Sequence, residues 1–168
     1  MLDDIVIPQA IPAKKVAGYQ MPEDISNLLP WDFVSAHMAP SLHYWLATIA
    51  ADGHPHTVPV WGIWYHNRVH FEGSMKTAWA RHLVRDPHIT VHLPSGEQVV
   101  IIEGTAHIIE DNDIDSDEWN KLDTLFQSKY QVDKGSPYWY VQPRKVLAWD
   151  GGGLQTMTRW IFPNQVRR

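Results

Sequence analysis

A chain of 168 residues, 44% apolar and 20% charged, suits one globular domain with a sizeable core. Its formal net charge of -5 offers no basic surplus to neutralise phosphates, so nucleic acid is not an expected partner. The absence of cysteine excludes disulfides, thiolate nucleophiles, iron–sulfur clusters and cysteine-ligated zinc, and no run approaches the roughly 20 apolar residues of a membrane helix.

Residues 1–30 hold Pro8, Pro12, Pro22 and Pro30 and show no sustained period. They read as an N-terminal arm lying over the domain or a partner, with a single domain over 31–168. Asp3 and Asp4 and the lack of a long apolar segment argue against a secretory signal, and a cysteine-free chain is expected in the cytoplasm. Trp31 to Met38 reads as a short helix between Pro30 and Pro40.

Strand signals follow. Tyr44 to Ala50 ends at Asp52-Gly53, a hairpin turn, and Thr57 to Tyr65 is its return strand. The turn His66-Asn67 leads to a strand from Arg68 to Glu72. Thr77 to Arg85 reads as a helix stopped by Pro87, His88 to Leu93 as a strand, Ser95-Gly96 as a turn, and Gln98 to Ile109 as a long strand. Asp115 to Tyr130 is the strongest helix: Asp115 and Glu118 form a capping box, and Trp119, Leu122, Leu125 and Phe126 share a face. Beyond Pro137 and Pro143, Lys145 to Trp149 and Thr158 to Phe162 read as two final strands joined by the flexible Gly151-Gly152-Gly153. Short strands joined by tight turns predict a mainly β fold with a few helices, an antiparallel sheet closing into a barrel.

Nine tryptophans are a heavy load for this length. An indole N–H is costly to bury without a partner, so the excess suggests a large apolar contact, either a dimer face or a flat ligand. The alternative is a Trp-rich core.

The segment Gly73-Ser74-Met75-Lys76-Thr77 ends a strand and opens a helix that carries Arg81 one turn on. Unpaired N–H groups at a helix start favour an anion. Ser74 and Thr77 add hydroxyls and Lys76 and Arg81 add charge, which together suit a phosphate. Upstream, Val58-Pro59-Val60-Trp61-Gly62 joins a proline that cannot donate to a ladder with a glycine that permits close approach, as a flat ring would require; an edge strand with a bulge is the alternative. The ten histidines form no His-Glu-x-x-His helix and are not grouped with carboxylates, so no metal site is expected.

These stretches have the order and spacing of a known family. Tyr44-Trp45-Leu46-Ala47-Thr48, Asp52-Gly53 with Pro55-His56 and Val58 to Gly62, Ala80-Arg81-His82-Leu83 with Asp86-Pro87, Glu103-Gly104-Thr105-Ala106, Lys129-Tyr130, Pro143, Trp149 and Thr158 to Phe162 carry the likeness. Over about residues 30 to 163 the chain resembles the pyridoxamine 5'-phosphate oxidase-like superfamily of flavin- and deazaflavin-binding split β-barrels. The resemblance implies a six-stranded antiparallel split barrel and a homodimer with cofactor sites at its interface. It implies that Val58, Pro59, Val60 and Trp61 line the ring and that Ser74, Lys76, Thr77 and Arg81 hold the phosphate. Gln98 would approach the ring from an adjacent strand, and Arg159 and Trp160 would reach the neighbouring subunit's cofactor. Relatives often carry Lys where this chain has Trp79, and Asn where it has His82. FMN is the expected cofactor, serving two-electron transfer to a small-molecule substrate. Deazaflavin coenzyme F-420 in the same fold, or a flavin or haem carrier without turnover, are the alternatives.

Overall fold

Alternation of inward and outward side chains organises the sheet in this computed structural model, which describes residues 5–109, 114–132, 137–151 and 153–163. Strand β2 (Tyr44–Ile49) buries Tyr44, Leu46 and Thr48 and turns Trp45, Ala47 and Ile49 to the other face. Gly53, with a φ of 86°, adopts the left-handed backbone that closes the hairpin to β3 (Pro55–Val60). The return strand expected over Thr57 to Tyr65 breaks at Trp61, and β4 (Gly62–Tyr65) leaves in a new direction to pair with β5 (Arg68–Glu72). His66 and Asn67 both have positive φ, 47° and 57°, as their two-residue hairpin turn demands.

Helix α1 (Trp31–Met38) matches its expected bounds, and α2 (Ala78–Arg85) starts after the capping residue Thr77. Strands β6 (His88–His92) and β7 (Gln98–Ile109) follow. In α3 (Ser116–Tyr130) the Asp115 carboxylate accepts from the Glu118 N–H at 2.9 Å.

The last long strand differs most from expectation. Strand β8 runs from Tyr138 to Asp150, straight through Pro143, where Lys145 to Trp149 was expected. The ladder register shifts between Glu103 and Gly104, and Pro143 lies opposite Gly104 at that bulge, where a missing N–H is tolerated. The approach is so close that a Cβ on Gly104 would lie 2.2 Å from the Gln142 carbonyl oxygen. Its length lets β8 serve two neighbours: its Tyr138–Tyr140 end pairs with β5, and its Lys145–Ala148 end with β9 (Thr158–Ile161). The arm adds β1 (Ile11–Pro12) to the edge of β9. Of the expected glycine connection, Gly152 lies outside the described residues.

The fold is thus mainly β, with three α-helices and one antiparallel sheet of nine strands among the described residues. The mainly β, antiparallel fold is as expected, but the sheet does not close into a barrel. The hydrogen-bonded path β1-β9-β8-β7-β6-β2-β3 ends openly at β1 and β3, and β4–β5 joins it only through β8. The break at Trp61 is what leaves β3 without a second neighbour. Two cores result. The main one packs α1 and α2 on the inner face, with Val34, Met38, Leu46, Phe71, Trp79, Leu83, Trp139 and Trp160 buried. The second seats Leu122 and Phe126 of α3 on Ile63, Tyr138 and Tyr140. Among the described residues no helix is long and apolar enough to cross a membrane.

Candidate functional site

The break between β3 and β4 creates the most unusual surface. Val58 and Val60 pack against the main core, whereas Pro59 is exposed on the opposite face of an edge strand. Trp61, in the break itself, is 46% exposed. Its ring stacks on Tyr130 at 4.9 Å with 9° between planes, so one indole face is supported from behind. Gly62 pairs with Phe71, two residues before Gly73 and the Ser74 loop, so the chain leaves Trp61 beside the end of β5.

That loop is a self-contained turn and cap. The Lys76 N–H donates to Ser74 Oγ at 3.2 Å, and the Thr77 hydroxyl donates to the Ser74 carbonyl at 2.9 Å while accepting from the Ala80 N–H at 3.3 Å. The Arg81 guanidinium folds back to donate to the Lys76 carbonyl. Ser74, Lys76 and Arg81 are exposed and Thr77 half-buried, so two cations and two hydroxyls crowd the first turn of α2. Trp79 faces the other way: it is 6% exposed, edge-on to Phe71 and Trp139. A Cβ on Gly73 would meet its ring at 2.6 Å. The indole fills the space beneath the loop, and no charged group could take that place without being buried. On the same helix His82 Nδ1 lies 3.0 Å from Thr48 Oγ1, and its ring meets His56 edge-on. Desolvation, then His56, Arg85 and Arg81, hold the His82 pKa below the usual histidine range.

The end of α3 closes the site from behind, and sequence reasoning gave Lys129 and Tyr130 no role beyond their place in the family likeness. The Gly62 N–H donates to the Tyr130 hydroxyl at 2.8 Å, and that hydroxyl donates to the Gly62 carbonyl at 2.6 Å. Tyr130 thereby stands in for the ladder partner that β4 lacks on this edge. Lys129 Nζ donates to the same carbonyl at 2.9 Å and to the Tyr44 hydroxyl at 3.2 Å, and lies over the Tyr44 ring. Burial pushes the Lys129 pKa down to about 8. It pushes the Tyr44 and Tyr130 hydroxyls up. The only sequence signal for this clamp is a Lys-Tyr pair in the last turn of an amphipathic helix.

The remaining expected residues lie elsewhere. Gln98 donates to Asp150 Oδ1 at 3.3 Å at the end of the β7–β8 ladder, and β2 and β6 stand between β7 and β3. Its expected strand is therefore not adjacent to the ring-lining one. Trp160 is 1% exposed and edge-on to Trp31. Strand alternation turns its side chain into the core of its own chain. Arg159 points to the outer face, on a cross-strand row that runs Pro59, Trp45, His92, Ile101, Leu147, Arg159. Pro59 and Arg159, the two ends of that row, are five strands apart along the hydrogen-bonded path. As for the tryptophan excess, Trp79, Trp139 and Trp160 are core, whereas Trp61 is the exposed one.

An antiparallel sheet split along β8, with an aromatic-backed edge beside a cationic helix start, defines a class, and sequence comparison gives it a family. The family model of pyridoxamine 5'-phosphate oxidase matches residues 38–150, and the chain belongs to that family. A conserved hypothetical protein, Rv2991 of Mycobacterium tuberculosis, is 20% identical with a TM-score of 0.60, over 76% of this chain and 89% of that one. A heme binding protein of Mycobacterium smegmatis is 20% identical with a TM-score of 0.61, over 80% of this chain and 59% of that one. A pyridoxamine 5'-phosphate oxidase-related, FMN binding protein of Nostoc punctiforme is 16% identical with a TM-score of 0.53, over 81% of this chain and 98% of that one. Each likeness is one of fold. No curated protein matches the sequence.

Proposed function

We propose that this chain binds FMN beside Trp61 and Ser74–Arg81, at the interface of a cytoplasmic homodimer, and uses it for two-electron transfer to a small molecule. The observation that carries the reading is the juxtaposition of an exposed, stacked indole at a free sheet edge with a helix start bearing Lys76 and Arg81. An aromatic face and free backbone groups suit a flat ring with a polar rim, and the cations suit its phosphate. FMN, when bound, would supply the redox chemistry, since the chain has no thiol of its own. Arg81 would exchange its bond to the Lys76 carbonyl for the phosphate. Tyr130 and Lys129 would hold the Gly62 peptide, and with it the indole, in place.

Titration with FMN, followed by visible absorbance, tests the reading. Saturable binding is expected, and Arg81→Ala should weaken it by about 1.5–3 kcal/mol while weakening riboflavin, which lacks the phosphate, much less. A protein that binds neither FMN nor deazaflavin, or equal losses for FMN and riboflavin, would sink it. Tight binding of deazaflavin with poor binding of FMN would move the chemistry to that cofactor.

Trp79 favours a second reading. A core indole stands where relatives often have a lysine, so the cradle lacks one cation. A carrier of flavin or haem that performs no turnover would tolerate that loss, and a structurally similar protein is named as heme binding. A Soret band on adding haem, with no reduction of bound FMN by a nicotinamide donor, would decide for it.

A further inference from the structure

The arm is tied down at two points and left bridging a hollow between them. At one end Ile11 and Pro12 pair with Arg159 and Thr158, and the Ala13 N–H donates to the Met157 carbonyl at 3.2 Å. At the other the Gln155 amide donates to Gln20 at 2.9 Å and Met21 is buried. Between these anchors Val16 and Tyr19 are 52% and 63% exposed, so the span roofs the space without filling it. Beneath it lies a cavity of about 450 Å³ against the outer face of β8 and β9. That volume is in the range of small-molecule sites.

The chemistry of its walls is lopsided. Leu147, Leu154, Met157 and Val16 make an apolar body, and the charged residues lining it are all cations: Lys14, Lys145 and Arg159. Lys145 is already held by Glu103 at 2.5 Å, and Arg144 shares that carboxylate. Arg159 has no such partner among the described residues. Its Nε is buried and makes no hydrogen bond to any described residue. A guanidinium keeps its charge at any accessible pH, so a buried, unanswered N–H is costly until an acceptor arrives. A planar carboxylate is the acceptor whose geometry fits.

We infer that this hollow is a binding site for a small amphipathic carboxylate, its apolar body against Leu147 and Met157 and its carboxylate on Arg159. The residues that line this hollow are not those of the groove beside Trp61, so the inference stands whether or not FMN binds there. Three probes separate the terms: decanoate below its micelle concentration, decanol with the same body and no charge, and acetate with the charge and no body. Calorimetric titration of the 168-residue chain should show saturable 1:1 binding of decanoate, with decanol and acetate at least tenfold weaker. Arg159→Met should cost decanoate tenfold or more and leave decanol unchanged. Should that variant fail to fold, Lys14→Glu, on an exposed arm residue, puts a negative charge at the mouth and should weaken decanoate several-fold while sparing decanol. Equal affinities for decanoate and decanol, or unchanged decanoate affinity in a folded variant of either kind, would overturn the inference. Running each titration with and without FMN keeps the outcomes distinct: loss of FMN binding alone sinks the proposed function, and loss of decanoate binding alone sinks this one.

Discussion

The start of α2 and the end of α3 flank the same exposed indole, yet they are built in opposite ways. From Ser74 to Arg81 the side-chain hydrogen bonds among the described residues are local: Ser74 to Lys76 and Thr77, Thr77 to Ala80, Lys76 to Arg81. The charged groups stay in water, where their bonds can be exchanged for a ligand at little cost. At the end of α3 the contacts are distant. Lys129 and Tyr130 reach Gly62, Tyr44 and Leu42, 67 to 88 residues away in sequence, and are half-buried. Exposed local donors are suited to a ligand that comes and goes. A buried, long-range clamp holds the frame against which that ligand would rest.

The sharpest test sets the two faces of α2 against each other. Trp79→Ala should cost about 3–5 kcal/mol of stability in urea unfolding. Arg81→Ala should move it by no more than about 0.5 kcal/mol. A similar loss for both would mean that the exposed face is structural too. Next comes the clamp. Gly62→Ala places a Cβ 2.5 Å from the His70 carbonyl oxygen and against the Tyr44 ring, so it should cost about 1–3 kcal/mol and disturb the Trp61 fluorescence. A silent spectrum would show that Trp61 does not depend on this peptide. Tyr130→Phe removes one acceptor and one donor from Gly62 and should cost about 1 kcal/mol. Ser74→Ala, at the local end, should cost less than that in the same assay.

The smallest effect is a slope. With the folded Lys129 pKa near 8 and the ordinary value at 10.5, the unfolded chain holds the proton more tightly. Lowering the folded value means that stability contributed by this group rises as pH climbs from about 8 and is absent below it. Tyrosine ionisation in the unfolded chain opposes this near pH 10, because folding pushes the Tyr44 hydroxyl up. Between pH 7.5 and about 9.5, Lys129→Met should therefore lose the upward slope that the natural chain shows in urea midpoints. Parallel pH profiles would rule out a desolvated ammonium at this place.

Much of the fold was legible because its signals are local. Gly53 and the His66-Asn67 pair dictate backbone conformations that few residues adopt, so both hairpins could be read off directly. Asp115 caps α3, and Pro30 and Pro40 bracket α1, through chemistry confined to one turn. The 73–81 segment was equally readable, since its donors, charges and helix start lie within nine residues of one another. Pro143 misled for the same reason that it normally informs. A proline predicts a strand end from its missing N–H, and only the bulge at Gly104 on another strand removes the demand for that N–H.

The sequence by itself determined the alternation that makes strands, the turns that pair them, the caps that start helices and the family to which the chain belongs. Tertiary structure alone decided that the sheet stays open, that Trp79 and Trp160 are core, that Lys129 and Tyr130 clamp Gly62, and that the arm roofs a cavity over Arg159. The division follows from the range of the forces. Backbone conformation and capping are settled among residues a few positions apart, whereas burial depends on which distant segment arrives to cover a side chain.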